Sequence, residues 1–160
     1  MEKQQTVDRI LEDVEMNWPQ AHQRILPQVL RLIRAEHGLR CAVGVVFDKY
    51  QLQGADYSAL ATLRRTPAPH CLSPTTLYHS MLFSSGGLTK VLNRLEQAEL
   101  IERVANPEDK RSKLVKLSDL GKQLVEQVVV ELQQTERQFM QPLSVEEQQQ
   151  LDQLLAKLVP

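Results

Sequence analysis

Ser84, Ser85, Gly86 and Gly87 form a run of small and hydroxylated residues, and Thr89, Lys90, Asn93 and Arg94 follow at helical spacing. Small side chains at a helix start allow close approach to a polyanion, and the free backbone N–H groups there can meet phosphates. The donors at 89, 90, 93 and 94 suit phosphate oxygens or base edges. A second concentration lies between Asn106 and Lys113, where Lys110, Arg111 and Lys113 share one short polar stretch with Ser112. A cation on a projecting tip can enter a minor groove, and narrow grooves attract guanidinium strongly. Arg111 is the best candidate for that contact. Asp109, two residues earlier, is expected to hold Arg111 or the loop in shape through a hydrogen-bonded ion pair. Each stretch alone also fits a plain solvated surface.

Other chemistries find little support. The histidines His22, His37, His70 and His79 pair with no Cys, Asp or Glu at metal-ligand spacing, so no metal and no cofactor is expected. Ser84 to Gly87 matches no nucleotide-binding fingerprint, and no Ser/His/Asp set stands out, so catalysis is not expected. Cys41 and Cys71 form no CxxC pair and read as reduced thiols. Thiol sensing would need an exposed, low-pKa cysteine; Cys41 falls in an apolar helix and Cys71 in a Pro-rich turn.

The elements that must position these residues follow from periodicity and caps. Val7, Ile10, Leu11 and Val14 predict an amphipathic helix over 5–16, broken at Asn17-Trp18-Pro19. Pro27 suits the first turn of a longer helix ending near Tyr50, weakened by Gly38 and Gly44. A short helix is expected over 55–65 and a turn over 66–72. Ser73 as N-cap with Pro74 at the first helical position starts another helix, running to about Phe83. Ser73, Thr75 and Thr76 at that start join the DNA-contact set. The next helix opens at Ser84 to Gly87, ends near Leu100, and is held to a core by Leu88, Val91, Leu92 and Leu95. Residues 101–105 and 113–117 alternate like strands around the polar loop 106–112, a hairpin with a long tip. Ser118 caps a helix reaching Phe139, Pro142 ends it, and Ser144 opens a last helix with a capping box.

Helix, helix, helix, two-stranded hairpin over 55–117 is the order of a winged helix–turn–helix. The fold class is therefore mainly α with a small β-hairpin wing, divided into N-terminal helices at 1–53, a DNA-binding domain at 54–118 and C-terminal helices at 119–160, all in one compact unit. The formal net charge is −1, but residues 54–122 carry ten Lys/Arg against seven Asp/Glu. A mildly basic centre between acidic ends permits DNA binding. Apolar runs fall short of the roughly 20 residues that span a bilayer, and the polar start Met1 to Asp8 lacks a signal-peptide core, which predicts a cytoplasmic protein away from membranes.

Asp109-Lys110-Arg111-Ser112 through Leu117-Ser118-Asp119-Leu120-Gly121 resembles the D-x-R…L-T/S-x-x-G signature of the multiple-antibiotic-resistance regulator (MarR) family. Ser84 to Thr89 through Arg94-Leu95-Glu96 is similar to that family's recognition helix, and Leu60 to Arg65 followed by Leu72 to Thr75 also fits. The resemblance implies a homodimeric transcription regulator, usually a repressor, whose interlaced terminal helices set two recognition helices on a pseudo-palindromic double-stranded site. Independently, the aliphatic surface of 7–14 and 151–158 exceeds what a lone three-helix domain can cover, so its burial would drive association. The resemblance further implies a small aromatic or anionic effector between the dimerisation helices and the DNA-binding lobe, where His37, Arg40 and Tyr57 are the matching positions. Two alternatives remain open: a winged-helix protein-interaction module that does not touch DNA, and a thiol-based redox regulator.

Overall fold

The computed structural model describes residues 5–82, 87–109 and 111–159. The chain divides into two compact units, residues 1–42 and 43–160. In the first, α1 (Val7–Asn17) starts on Thr6, whose side chain accepts the Arg9 N–H, and Trp18 closes it. A single turn, α2 (Pro19–His22), follows with proline at its first position, where the missing N–H costs nothing. The guanidinium of Arg31 on α3 (Pro27–Lys49) reaches Asp8 of α1 at 2.7 Å.

The second unit begins within α3. That helix ends on a left-handed residue that is not glycine: Gln51 has φ 55°. Gln51 N–H bonds Asp48 O and Leu52 N–H bonds Phe47 O, the paired closure of a Schellman motif. The buried carboxylate of Asp56 then caps α4 (Gly54–Arg65) by accepting the Gln53 N–H at 2.9 Å. α4 is the hub of the core. Its fully buried Ala59, Leu60 and Leu63 face the elements packed around it, which are α5 (Pro74–Ser80), α6 (Leu88–Gln97), α7 (Asp119–Met140) and the sheet. Each large buried leucine contributes about 1.5–3 kcal/mol by leaving water.

The expected hairpin forms between β2 (Ile101–Ala105) and β3 (Lys113–Leu117), with Ile101 opposite Leu117 and Ala105 opposite Lys113. The sequence reading missed a third strand. β1 (Cys71–Leu72) pairs with the other side of β3, Cys71 opposite Lys116, so the sheet order is β1-β3-β2 and all pairs are antiparallel. This strand lies inside the stretch read as a turn; two residues are too few to show alternation.

α5 begins as expected, with Ser73 accepting the Thr76 N–H and Pro74 in the first turn. It stops at Ser80 instead of continuing toward Phe83, and the Arg65 guanidinium donates to the Ser80 carbonyl at that end. Phe83, Ser84, Ser85 and Gly86 lie outside the described residues, as does Lys110. α7 is capped by Ser118 and runs to Met140, and α8 (Val145–Leu158) opens with the expected capping box between Ser144 and Glu147.

Candidate nucleic-acid interface

α6 is amphipathic in the way its sequence requires. Val91, Leu92 and Leu95 are each 2% exposed and seat the helix in the core. Thr89, Lys90 and Asn93 are exposed on the other side. Gly87 is the N-cap residue and supplies no side chain, so the first N–H groups of the helix are not capped by it. The positive end of the helix dipole favours an anion there.

Arg94 takes a different position from the other three donors. Its Nη2 donates to Asp56 Oδ1 at 2.7 Å and its Nε faces Oδ2 at 3.4 Å. The Asp56 side chain is 4% exposed, while that of Arg94 is 40% exposed. Sequence reasoning did not single out Asp56. Its local signal, an acid three residues after Gln53 at a helix start, reads only as a cap. The partner lies 38 residues further along the chain.

The far end of α6 is fixed just as firmly. Leu100 N–H bonds Leu95 O and Glu99 N–H bonds Glu96 O, with Glu99 left-handed at φ 58°. This Schellman closure ends the helix at Gln97, short of the expected Leu100. Ser118 Oγ donates to Glu99 O at 2.7 Å and accepts the Gly121 N–H at 2.9 Å, joining the end of α6 to the start of α7. A Cβ built on Gly121 would come within 3.0 Å of the Leu100 carbonyl carbon and closer still to its oxygen. Glycine is required there because the two backbones touch. Arg103 of β2 approaches Glu96 at 3.5 Å and ties the sheet to the same helix.

The tip between β2 and β3 closes on itself. Asn106 Nδ2 donates to Ser112 Oγ at 2.9 Å, and Asn106 Oδ1 accepts the Glu108 N–H at 3.0 Å. Asp109 Oδ1 accepts the Arg111 backbone N–H at 3.0 Å, and Asp109 O accepts from Ser112. Asp109 thus braces the loop through the backbone; among the described residues it makes no ion pair with the Arg111 guanidinium. Arg111 and Lys113 are exposed. On α5, Thr75 is exposed, while Ser73 Oγ and Thr76 Oγ1 bond each other at 2.8 Å.

The residues expected to hold an effector fall in both units. His37 and Arg40 belong to the first, one helical turn apart on α3, with Arg40 Nη2 3.5 Å from His37 Nδ1 and Cys41 Sγ 3.6 Å from His37 Nε2. Tyr57 belongs to the second, half-buried with its ring 5.3 Å from that of Phe47. Burial pushes the Cys71 thiol above its ordinary pKa, against the opposing pull of Lys116. No group of three His, Cys, Asp or Glu among the described residues could hold a metal. No described helix is long and apolar enough to cross a membrane.

Comparison with known proteins gives these features a context. A family model described as MarR family matches residues 50–112. The transcriptional regulator PecS of Dickeya dadantii is 38% identical over 73% of this chain and 70% of its own length. The multiple antibiotic resistance protein MarR of Escherichia coli is 31% identical over 68% of this chain and 74% of its own. The crystal structure of a cysteine-to-serine mutant of E. coli MarR complexed with operator DNA superposes with a TM-score of 0.73 at 27% identity, covering 86% of this chain and 96% of that one. The exposed donor face of α6, the cationic hairpin beside it and these relatives lead to one conclusion: the chain belongs to the MarR family of winged-helix transcription regulators.

Proposed function

We propose that this regulator binds a pseudo-palindromic operator in double-stranded DNA as a homodimer and represses transcription by occluding the promoter. One observation carries the reading. α6 buries Val91, Leu92 and Leu95 and presents Thr89, Lys90 and Asn93 outward, beside a hairpin whose Arg111 and Lys113 are exposed. In this reading α6 enters the major groove, with Asn93 and Lys90 toward base edges and Thr89 toward the backbone. Gly87 and the flanking Ser84, Ser85 and Gly86 let the helix start approach phosphates. Ser73, Thr75 and Thr76 meet the backbone from α5. Arg111 probes the minor groove from the tip that Asp109 and Ser112 shape, with Lys110 and Lys113 beside it.

Dimerisation is supported by the apolar side chains left exposed. Met16, Leu26 and Ile33 in the first unit and Val145, Leu154 and Leu158 on α8 are each more than half exposed. Their burial against a second copy would be favourable at about 25 cal/mol per Å2. A small aromatic or anionic ligand would release the DNA by changing the spacing of the two α6 helices. The role is non-enzymatic and cytoplasmic. Thiol control finds less support at Cys71, because a raised pKa disfavours the reactive thiolate.

Selection of bound duplexes from a random pool, followed by a salt titration, tests the proposal. A palindromic consensus with half-sites about one helical turn apart, and affinity that falls steeply with salt, is the expected result. No binding at low salt would leave the protein-interaction reading in its place.

A further inference from the structure

The apolar seat of α6 settles which face looks outward, and Ser118 holds its C-terminal end through Glu99 O, but neither contact fixes the tilt of the end that carries Thr89, Lys90 and Asn93. Val91, Leu92 and Leu95 are aliphatic and give the helix no directional bond. A directional contact must fix the position. Among the described residues α6 has two side-chain ion pairs, and they differ in kind. Glu96 faces Arg103 at 3.5 Å from a half-exposed carboxylate. Arg94 instead places Nε and Nη2 on both oxygens of a carboxylate that is almost wholly buried. Two-point contact between a guanidinium fork and a carboxylate restricts rotation as well as distance.

Asp56 is itself held from the other side. It is the third residue of α4, and its Oδ2 accepts the Gln53 N–H at 2.9 Å where the chain turns out of α3 into α4. One carboxylate therefore fixes both the start of α4 and the position of α6. Burial makes the arrangement stringent, because a buried carboxylate that loses its partner has no water to replace it.

We infer that Asp56 is a positioning residue for DNA reading: through Arg94 it sets how α6 is tilted and rotated about its held C-terminal end, and so which base edges Lys90 and Asn93 meet and where Thr89 meets the backbone. This rests on the proposed DNA-binding function. It also gives Arg94 a role unlike that of its neighbours, since its Nε and Nη2 are spent on Asp56 and not on a base. The inference predicts a defect spread over the whole half-site, whereas a lost base contact alters one position.

The test uses the full-length protein and two fluorescein-labelled duplexes, one selected by the wild type from a random pool and one of shuffled sequence. Discrimination is the ratio of the two dissociation constants at fixed salt. Asp56→Asn is expected to lower it about tenfold or more, with the preference weakened at every position of a repeated selection. On the shuffled duplex its salt slope stays level or steepens by about one, because Arg94 is released toward phosphate. Arg94→Lys, which keeps the charge and removes the fork, is expected to lower discrimination likewise, and the double variant to be no worse than the poorer single one. Asp56→Glu is expected to recover part of the loss. Circular dichroism and urea melts accompany each variant; should Asp56→Asn fail to fold, Arg94→Lys decides. Discrimination within twofold of wild type in a folded variant, additive effects, or a change confined to one base pair would overturn the inference. Failure of the wild type to prefer its selected duplex would instead overturn the DNA-binding reading.

Discussion

Replacing Gly121 by alanine puts a methyl group against the Leu100 carbonyl, at a separation that real Cβ atoms do not adopt. The obstacle is backbone at the α6–β2 junction, which has no flexible end to swing clear, and Leu117 Cδ1 also stands 3.0 Å away. Forcing an extra carbon into such a contact costs about 1–3 kcal/mol. If the helix start backs away, the Ser118 Oγ–Gly121 N–H bond weakens as well, a further loss of about 0.5–1.5 kcal/mol. Alanine's helix preference over glycine returns at most about 1 kcal/mol, and less in a first turn than in a helix interior. The steric loss wins, and a net destabilisation of about 1–3 kcal/mol is expected. For a chain of this size that is a fall in Tm of roughly 3–10 °C. Gly44→Ala is the control, since a Cβ there meets nothing within 4 Å. It is expected to stabilise by about 0.5–1 kcal/mol. Urea melts at one protein concentration measure both. A Gly121→Ala midpoint equal to wild type, or equal losses in both variants, would refute the close-approach argument.

Arg111→Ala should weaken binding to every duplex and reduce the dependence of log Kd on log salt by about one, as measured by anisotropy titration across salt concentrations. Asn93→Ala should change preference at one base position at a cost of about 1–3 kcal/mol, read by repeating the pool selection; uniform weakening would make it a phosphate contact. Glu131 accepts from Lys49 at 2.6 Å and Tyr50 at 2.7 Å, which holds its carboxyl below the usual range and the Lys49 ammonium above it. The carboxylate's share of stability is present above its unfolded pKa and lost as pH falls through the lowered folded value. That of Lys49 is present below its unfolded pKa and lost as pH rises through the raised folded value. Glu131→Gln should therefore flatten both the acid and the alkaline limbs of a stability–pH curve measured by chemical denaturation. Glu99→Gly should raise stability by up to about 1 kcal/mol in urea melts, because Glu99 occupies a left-handed position that glycine adopts freely.

The parts of this fold legible in the sequence are those written in local chemistry. Ile101 to Ala105 and Lys113 to Leu117 alternate, and both form strands over those residues. Ser73-Pro74, Ser118 and Ser144 each start a helix because a hydroxyl meets an N–H three residues on. What escaped notice depends on distant partners. Cys71 and Leu72 become a strand only because Lys116 and Val115 lie alongside. The end of α6 at Glu99 carries no glycine to announce it. The outward set Thr89, Lys90 and Asn93 followed from helical spacing. Spacing also put Arg94 with them, and only packing shows that Asp56 claims it. Asp109 was read as a brace for side chain or loop; its contact is with the backbone, a geometry that residue types alone do not distinguish.

The self-closing wing tip has a consequence for how this protein can change. Asn106, Asp109 and Ser112 complete the loop among themselves, using one another and nearby backbone N–H and C=O groups. Among the described residues, the side chains of Pro107, Glu108 and Arg111 take no part in that closure. Mutation can therefore vary the length and charge of these three without disturbing the sheet beneath. The wing separates the residues that make the loop from those that face outward, and it can acquire new groove preferences while the fold stays constant.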